Sequence, residues 1–223
     1  GFGYPLYGPV NESVPEFYNP KIKKFEYNLD KAKEYLSEAG FYKKNDGLLY
    51  DSSGNQICFS LLTNSNNSER IEQANLIRND LEKLGMKVNF SPVDFNSLVT
   101  RINVTKDWEA IMIGLTGGID PHFGKNVWTT QGHLHLWNLG SPRSVYEWEK
   151  EVDRIFEEAA RQIDYRKRKM LYDRWQEIMC ENQVMTFTVT SAVLYATKDK
   201  FGNLKPTVYG GLFHNIEEIY IKK

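Results

Sequence analysis

Cysteine is nearly absent from this chain of 223 residues, since Cys58 and Cys180 are the only two. Cys58 lies in an apolar, strand-like run and Cys180 lies near the end of a helical pattern, so we predict two isolated, buried thiols. Two such cysteines exclude a disulfide framework, and they also exclude a cysteine zinc site of the usual spacing.

Neither sign of charge is in excess, because 28 basic residues face 29 acidic ones and the net charge is −1. A nucleic-acid-binding protein would show a basic patch and a high pI, so we predict no nucleic-acid partner. No apolar run approaches the length of about 18 residues that a membrane-spanning helix needs. The chain shows no signal peptide and no initiator Met, and its opening GFGYPLYGP reads like the middle of a protein. We therefore expect a mature fragment or an excised domain.

Recognisable catalytic motifs are also lacking. The sequence contains no Gly-x-Ser-x-Gly, no phosphate-binding glycine loop and no His-Glu-x-x-His. The carboxylates Glu147, Glu149 and Glu151 fall in a helical pattern whose outer face needs charge, so we predict that they are solvated. The same interpretation applies to the basic run RKRK at 166–169. We therefore predict that the chain is not an enzyme.

Helical and strand patterns alternate along the first half of the chain. The first helix is predicted to start at a cap, Asn28 or Asp30, and the second to start after the capping run NSNNSE at 64–69; they are predicted to stop at Gly40 and Gly85. The order β-α-β-α-β with short connections predicts an α/β fold, a parallel or mixed sheet with covering helices. Two long amphipathic helices and two late strands follow. The predicted strands cover 56–63, 86–93, 108–115, 184–196 and 216–221, and the two late helices have apolar stripes over 145–159 and 163–179.

The most distinctive segment, Leu115–Asn138, reads LTGGIDPHFGKNVWTTQGHLHLWN and begins where the third strand is predicted to end. It holds three of the four histidines, two of the five tryptophans and four of the sixteen glycines. Ligands of such sheets bind beyond the carboxyl ends of the strands. Rings stack on flat groups and glycines let a backbone come close, so we predict that part of this loop faces a ligand. The alternative is a long loop that folds back on its own aromatic side chains.

All candidate ligand-binding residues lie in this loop. His133 and His135, with His122 and Asp120, could ligate a divalent metal ion, but the spacing is a weak signal and hydrogen bonding to a ligand or to the loop backbone is favoured. We therefore predict no metal site and no cofactor. The candidates are Gly117, Gly118, Asp120, His122, Asn126, Trp128, His133, His135 and Trp137.

Three stretches, in their order along the chain, carry a resemblance to a known family. They are YNLDKAKEYLSEAGF with DGLLYDSSGN, then RIEQANLIRNDLEKLGMKVNFSPVDFNSL, then TGGIDPHFGKNVWTTQGHLHLWN. Together they resemble the C-terminal lobe of the bacterial extracellular solute-binding proteins of family 5, the oligopeptide, dipeptide and nickel class that serves ABC importers. The resemblance implies a periplasmic-binding-protein type II-like lobe. Residues 1–223 would form this single ligand-binding lobe, about half of a two-lobe receptor whose N-terminal lobe is absent here.

One position departs from the family pattern. In peptide-binding members, an Asp four residues before the loop proline holds the free α-amino group of the ligand. Here that proline is Pro121, and Gly117 stands four residues before it. Burying an ammonium without a carboxylate costs on the order of several kcal/mol. The resemblance therefore implies a neutral ligand such as an oligosaccharide, with a capped or unusual peptide as the other option.

The function that the resemblance implies is a monomeric, non-enzymatic receptor of an ABC importer. It would capture an oligosaccharide or oligopeptide-like solute by hinge closure and then meet the importer permease. Such a protein would be exported to the periplasm or to the outer face of the cytoplasmic membrane. The alternatives are a nickel or metal-chelate receptor of the same family, a hydrolase using Asp120 and a loop histidine, and a surface protein whose aromatic loop binds a protein partner.

Overall fold

The computed structural model describes residues 3–138, 146–207 and 209–223. The chain divides into two compact units, one formed by Gly1–Phe25 with Gly117–Lys223 and the other by Glu26–Thr116. That residues 1–223 form a single ligand-binding lobe stays a prediction. The helices are α1 (Leu29–Glu38), α2 (Ser68–Lys83), α3 (Phe95–Thr100), α4 (Lys125–Trp128), α5 (Glu147–Arg161) and α6 (Tyr165–Asn182). The strands are β1 (Gly3–Pro5), β2 (Tyr42–Lys43), β3 (Leu49–Tyr50), β4 (Cys58–Asn64), β5 (Lys87–Val93), β6 (Ala110–Ile111), β7 (Val189–Ser191), β8 (Phe201–Gly202) and β9 (Tyr220–Ile221).

The unit Glu26–Thr116 is built on a three-stranded parallel sheet in the order β5-β4-β6. The central strand is buried on both faces, since Leu61 and Leu62 point to opposite sides and are 6% and 2% exposed. This arrangement confirms the predicted β-α-β-α-β order. The third strand is shorter than predicted, because β6 pairs only with Leu61 and Leu62 and the chain leaves the sheet after Met112.

Local chemistry explains where the first two helices begin and end. The side chains of Asn28 and Asn67 accept hydrogen bonds from the backbone N–H groups three residues later, at 2.9 and 2.8 Å. Gly40 and Gly85 follow the helices with φ of +88° and +93°, a conformation that side chains disfavour. The predicted starts and stops are confirmed at both helices.

The other unit is organised by α5 and α6. Its core includes Val152 and Phe156 from α5 and Tyr172 and Trp175 from α6, none more than 1% exposed. The apolar stripe of α5 is confirmed from Trp148 to Ala159. The second stripe is confirmed at Leu171, Trp175, Ile178 and Met179, but it is wrong at Met170, which is 69% exposed in α6, and at Ile163, which is 96% exposed in the turn before α6. Val145, where we start the first stripe, lies outside the described residues.

Two predictions about the remaining segments are wrong. The late strands are shorter than predicted. Strand β7 covers only three residues of the predicted strand at 184–196. The predicted strand at 216–221 instead begins with a 3-10 turn (Ile216–Glu218), which precedes β9. Cys58 is exposed rather than buried, because it is the first residue of β4, at the end of the sheet; Cys180 is buried as predicted.

Candidate functional site

The segment Gly117–Asn138 is more ordered than its sequence indicates. It contains a 3-10 turn at Pro121–Gly124, then α4, and a second 3-10 turn at Leu136–Asn138. Asp120 starts the first turn, since its Oδ1 accepts the backbone N–H of His122 at 2.9 Å. Pro121 at the first helical position suits this cap, because proline has no N–H to satisfy there. We call Gly117–Asn138 the Asp-Pro loop.

The first anchor of the Asp-Pro loop is an ion pair with α6. The Arg168 guanidinium donates to both carboxylate oxygens of Asp120, with Nη2 to Oδ1 at 2.9 Å and Nη1 to Oδ2. Arg168 Nε also donates to the Ala159 carbonyl at 2.9 Å, which fixes the guanidinium between the two helices. Burial raises the pKa of the Asp120 carboxyl, but the hydrogen bonds from Arg168 and His122 outweigh it, and that pKa is lowered overall. Asp120 is therefore ionised, and both of its carboxylate oxygens accept hydrogen bonds.

The second anchor joins the Asp-Pro loop to α5. The backbone N–H and the hydroxyl of Thr130 donate to the two carboxylate oxygens of Asp153 at 2.9 and 2.5 Å. Thr129 Oγ1 donates to the Lys125 carbonyl at 2.9 Å and closes the last turn of α4. The middle of the loop is thus fastened to the helix pair through side chains that sequence reasoning did not single out.

The third anchor is a buried polar cluster around Glu149. Glu149 Oε1 is 3.2 Å from His135 Nε2 and accepts the indole N–H of Trp137 at 3.2 Å. Its other oxygen accepts the backbone N–H of Tyr146 at 3.1 Å, and His135 Nδ1 lies 3.2 Å from the Val127 carbonyl. Glu149 is 0% exposed and His135 is 2% exposed. The prediction that Glu149 is solvated is wrong. Its side chain caps α5 and accepts a hydrogen bond from Trp137 of the Asp-Pro loop.

The basic run at 166–169 is also only partly solvated. Besides Arg168, Lys169 donates to Asp173 at 2.6 Å and to the Tyr18 carbonyl at 3.2 Å. Arg166 and Lys167 are exposed. The prediction of a uniformly solvated face is therefore wrong for half of the run, since Arg168 and Lys169 face the interior of their unit.

The loop tryptophans pack inward. Trp128 is 8% exposed and belongs to the core, with its ring centroid 5.2 Å from that of Trp175 in an edge-on arrangement. Trp137 is half-buried and packs against the same core. The burial of Trp128 and His135 removes both from the accessible surface. For this part of the loop, the structure agrees with the alternative interpretation of a loop that folds on its own aromatic rings.

Another group of the candidate residues stays accessible. Gly117, Asn126 and His133 are exposed, and Asn126 Oδ1 accepts the His133 backbone N–H at 2.8 Å. The ring of Phe123, 80% exposed, lies against Gly118 so closely that a Cβ on that glycine would be 2.7 Å from the ring. His122 is half-buried 3.4 Å from the Tyr172 hydroxyl, and burial, aided by Lys125, lowers its pKa. Ligand contact by these residues stays a prediction.

A second polar surface lies in the unit Glu26–Thr116, at the carboxyl end of β4. Arg70, in the first turn of α2, donates through Nη1 to the side-chain oxygen of Asn64, the last residue of the strand. Asn64 in turn donates to Asn66. The guanidinium lies over Gly114, where a Cβ would be 2.6 Å from Nη2. Among the described residues Arg70 has no acidic partner within ion-pair distance. Sequence reasoning missed this arginine.

Neither a cluster of metal-ligating side chains nor a membrane-spanning helix occurs among the described residues. No group of three or more His, Cys, Asp or Glu side chains is placed to hold a metal ion in residues 3–138, 146–207 and 209–223. In the same ranges, every helix is too short or too polar to cross a bilayer.

The Asp120–Arg168 pair allows a test of its own. Asp120→Asn should cost about 1–3 kcal/mol of unfolding free energy near pH 7, because it removes a charged acceptor from a half-buried guanidinium. The pKa of Asp120 is lowered on folding, so its stabilising effect is present above the unfolded pKa of about 3.9 and is lost as the pH falls through the folded pKa. Urea unfolding at pH 7 and at pH 3 should therefore give a difference that shrinks in acid.

The control for this test is Asp199→Asn, since the Asp199 side chain is 97% exposed. This change should stay within about 0.5 kcal/mol of the parent. An equal effect of both changes at pH 7 would show that the Asp120–Arg168 pair contributes nothing specific.

The chain is similar in sequence to known proteins. The family profile described as bacterial extracellular solute-binding proteins, family 5 Middle, matches residues 1–133. A probable ABC transporter-binding protein of Deinococcus radiodurans is 30% identical over 213 residues, which cover 90% of this chain and 36% of that protein. The chain thus spans about a third of the length of this relative.

Solved structures with the same fold cover up to 99% of this chain. The oligopeptide-binding protein AppA of Bacillus subtilis, in complex with a nonapeptide, has a TM-score of 0.74 at 24% identity, and 43% of it is covered. NikZ of Campylobacter jejuni, in complex with Ni(L-His), has a TM-score of 0.75 at 20% identity, with 44% covered. The predicted α/β fold of a periplasmic binding protein is confirmed.

Proposed function

The chain belongs to family 5 of the bacterial extracellular solute-binding proteins, and we propose that it is the part of an ABC importer's receptor that captures a solute without a free α-ammonium group, most simply a neutral oligosaccharide. The family consists of substrate-binding receptors of ABC importers found outside the cytoplasm. In the proposal the whole receptor is a monomer, closes over the solute by a hinge and presents the closed form to the permease.

One observation carries the choice of ligand. Asp120 is the single acidic residue between Gly117 and Asn138, and both of its carboxylate oxygens are engaged by Arg168 and by the His122 backbone. The loop therefore offers no free anion to an ammonium group, and Gly117 supplies none where the family pattern has an Asp. Its accessible groups are backbone amides, amide and imidazole side chains and the Phe123 ring, which suit hydroxyl groups and the apolar face of a sugar.

The same observation weighs against the hydrolase alternative. A general base needs a free lone pair within reach of the proton that it abstracts. The carboxylate of Asp120 is committed to a guanidinium, and His135 is buried between Glu149 and the Val127 carbonyl. In the proposal, these groups hold the Asp-Pro loop in shape rather than take part in a reaction.

A second candidate ligand class is an anionic solute, such as an N-blocked peptide with a free carboxylate. The observation that favours it is Arg70, a guanidinium oriented by Asn64 at the carboxyl end of a parallel strand and lacking an acidic partner among the described residues. A guanidinium in this state is a bidentate receptor for a carboxylate. Arg70→Gln would then weaken a carboxylate-bearing solute and spare a neutral one.

Calorimetry on the full-length receptor tests these classes against each other. The panel contains a neutral oligosaccharide, a tripeptide with a free amine, and the same tripeptide acetylated. We expect the sugar to bind more tightly than the free-amine peptide, with little change between about pH 6 and 9, since no ligand amine titrates in a sugar. Tighter binding of the acetylated peptide than of the sugar would select the anionic class. Submicromolar binding of the free peptide that acetylation abolishes would contradict both.

Gly117→Asp supplies a gain-of-function test. Gly117 is exposed, and a Cβ there would meet no atom within 4 Å, so the change should fit without strain. A carboxylate at this position restores the ammonium partner of the family pattern. We expect free-amine peptides to bind roughly 10–100-fold more tightly, as one charged hydrogen bond contributes about 1.5–3 kcal/mol. Gly117→Asn controls for size, and the acetylated peptide controls for charge; an equal gain with Asn would contradict the electrostatic reason.

A further inference from the structure

Phe123 lies outward on a turn whose neighbouring residues are fixed. Its side chain is 80% exposed, more than any other aromatic side chain among the described residues. His122, the residue before it, is half-buried, and Gly124, the residue after it, lies against the Trp128 indole. The Phe123 backbone N–H donates to the Asp120 carbonyl at 3.1 Å. The exposed ring therefore stands on an anchored part of the Asp-Pro loop.

The Phe123 ring is held on one side by the backbone of Gly118. A Cβ on Gly118 would be 2.7 Å from Phe123 Cδ2 and 3.2 Å from its Cβ and Cγ, so only glycine lets the ring come this close. The high exposure of the ring leaves its other side accessible. A ligand that binds to a side chain already held in place costs less conformational entropy than one that must immobilise it.

Asn126 adds an oriented amide to the same face of the chain. Because the 3-10 turn at Pro121–Gly124 runs directly into α4, residues three apart share a face, and Phe123 and Asn126 are both exposed. The Asn126 Oδ1 accepts the His133 backbone N–H at 2.8 Å, and no described residue accepts a hydrogen bond from its Nδ2. The amide is therefore fixed through its oxygen and has a donor available.

We propose that Phe123 and Asn126 form a saccharide subsite, in which the Phe123 ring stacks on the C–H face of a pyranose and Asn126 Nδ2 donates to one of its hydroxyl groups. A pyranose has an apolar face and a polar edge, and these match an aromatic ring beside an amide. The inference rests on the proposed function, because it takes the solute to be an oligosaccharide. It adds the residues that select the pyranose ring.

An apolar side chain of a peptide is the other ligand group that packs on a phenylalanine. Such a side chain is bound best in an enclosed pocket lined by apolar groups. Phe123 is open to solvent, and the exposed side chains that follow it in α4, Lys125 and Asn126, are polar. A solute with an apolar face and a polar edge is therefore favoured, and a contact with another part of the receptor is an outcome that the experiment separates.

Calorimetry on the full-length receptor tests the ring. The probe is the tightest-binding member of a panel of trisaccharides built from glucose, galactose, mannose or xylose. Phe123→Ala should weaken its binding roughly tenfold, while Phe123→Trp, which keeps an aromatic ring, should stay within about threefold of the parent. Phe213→Ala is the matched control, since Phe213 is 60% exposed and lies outside the Asp-Pro loop. Unchanged affinity in Phe123→Ala, or an equal loss in Phe213→Ala, would overturn the subsite.

Two further variants test the parts around the ring. Gly118→Ala should displace the ring and weaken the probe in the parent, yet have little further effect in Phe123→Ala, where no ring remains to be displaced. An equal loss in both backgrounds would overturn the role of Gly118 as the support of the ring. Asn126→Asp keeps the acceptor for His133 and removes the Nδ2 donor, so it should also weaken the probe. Parental affinity in Asn126→Asp would overturn the role of Asn126.

Nuclear Overhauser effects distinguish stacking on the solute from a contact within the receptor. In a full-length receptor deuterated except at phenylalanine, the C–H protons of the bound trisaccharide should show contacts to a phenylalanine ring that are lost in Phe123→Leu. Weaker binding by Phe123→Ala without such contacts would mean that the ring acts through the receptor, and it would overturn the subsite. Equal binding of the probe by the parent and Phe123→Ala would overturn the subsite alone, whereas failure of the parent to bind any member of the panel would overturn the proposed function as well.

Discussion

Trp128→Ala should destabilise the protein by about 3–5 kcal/mol, the range measured for removal of a large buried aromatic side chain. The ring is 8% exposed and packs edge-on against Trp175 and close to Trp137 and Phe187. Gly124 lies against the indole, where a Cβ would be 2.6 Å from Nε1. The surrounding core relaxes only partly when a large side chain is removed, so the change leaves a cavity.

The measurement is urea unfolding followed by circular dichroism, since fluorescence would change with the loss of a tryptophan. Phe123→Ala is the matched control, an aromatic of the same loop that is 80% exposed, and it should stay within about 0.5 kcal/mol of the parent. A Trp128→Ala protein with parental stability but no solute binding would contradict the core assignment and return Trp128 to the ligand surface.

The helix ends were predictable because each depends on a few neighbouring residues. Asn28 and Asn67 cap their helices and Gly40 and Gly85 end them, and these signals need no knowledge of the rest of the chain. The length of β6 was not predictable in this way. An apolar run over 108–115 indicates a strand, but pairing with β4 exists only at Ala110 and Ile111. The sequence of the run does not determine how many of its residues pair with the neighbouring strand.

The Asp-Pro loop shows the same division between local and distant causes. Its aromatic residues and glycines distinguished it from the rest of the chain in the sequence. The turn that begins at Asp120 follows from neighbouring residues of the loop. What holds it in place comes from 23 or 48 residues away, through Asp153 and Arg168. A sequence signal for one anchor did exist: Glu149 precedes Val152 by three residues and is in phase with the buried stripe of α5. A carboxylate on an apolar stripe is either paired or misplaced, and here it is paired.

Glu149→Ala should cost about 3–5 kcal/mol, because more than one donor loses a buried acceptor and each such loss costs about 1–3 kcal/mol. The change leaves the indole N–H of Trp137 and the backbone N–H of Tyr146 without their acceptor, and it removes the oxygen that lies 3.2 Å from His135 Nε2. His135 is 2% exposed, so water cannot easily replace the lost carboxylate. Glu149→Gln keeps one acceptor oxygen and should cost less.

Glu147→Ala is the matched control for Glu149→Ala, because the Glu147 side chain is two residues earlier on the same helix and 88% exposed. Urea unfolding should place it within about 0.5 kcal/mol of the parent. Hydrogen exchange then distinguishes a general loss of stability from a loosened anchor: in Glu149→Gln, the amides of residues 126–138 should exchange faster while those of α6 keep their protection. Uniform acceleration across the unit would contradict the role of Glu149 as a local anchor. Retention of parental stability by Glu149→Ala would contradict the buried cluster itself, because an imidazole and an indole N–H cannot lose a shared buried acceptor without cost.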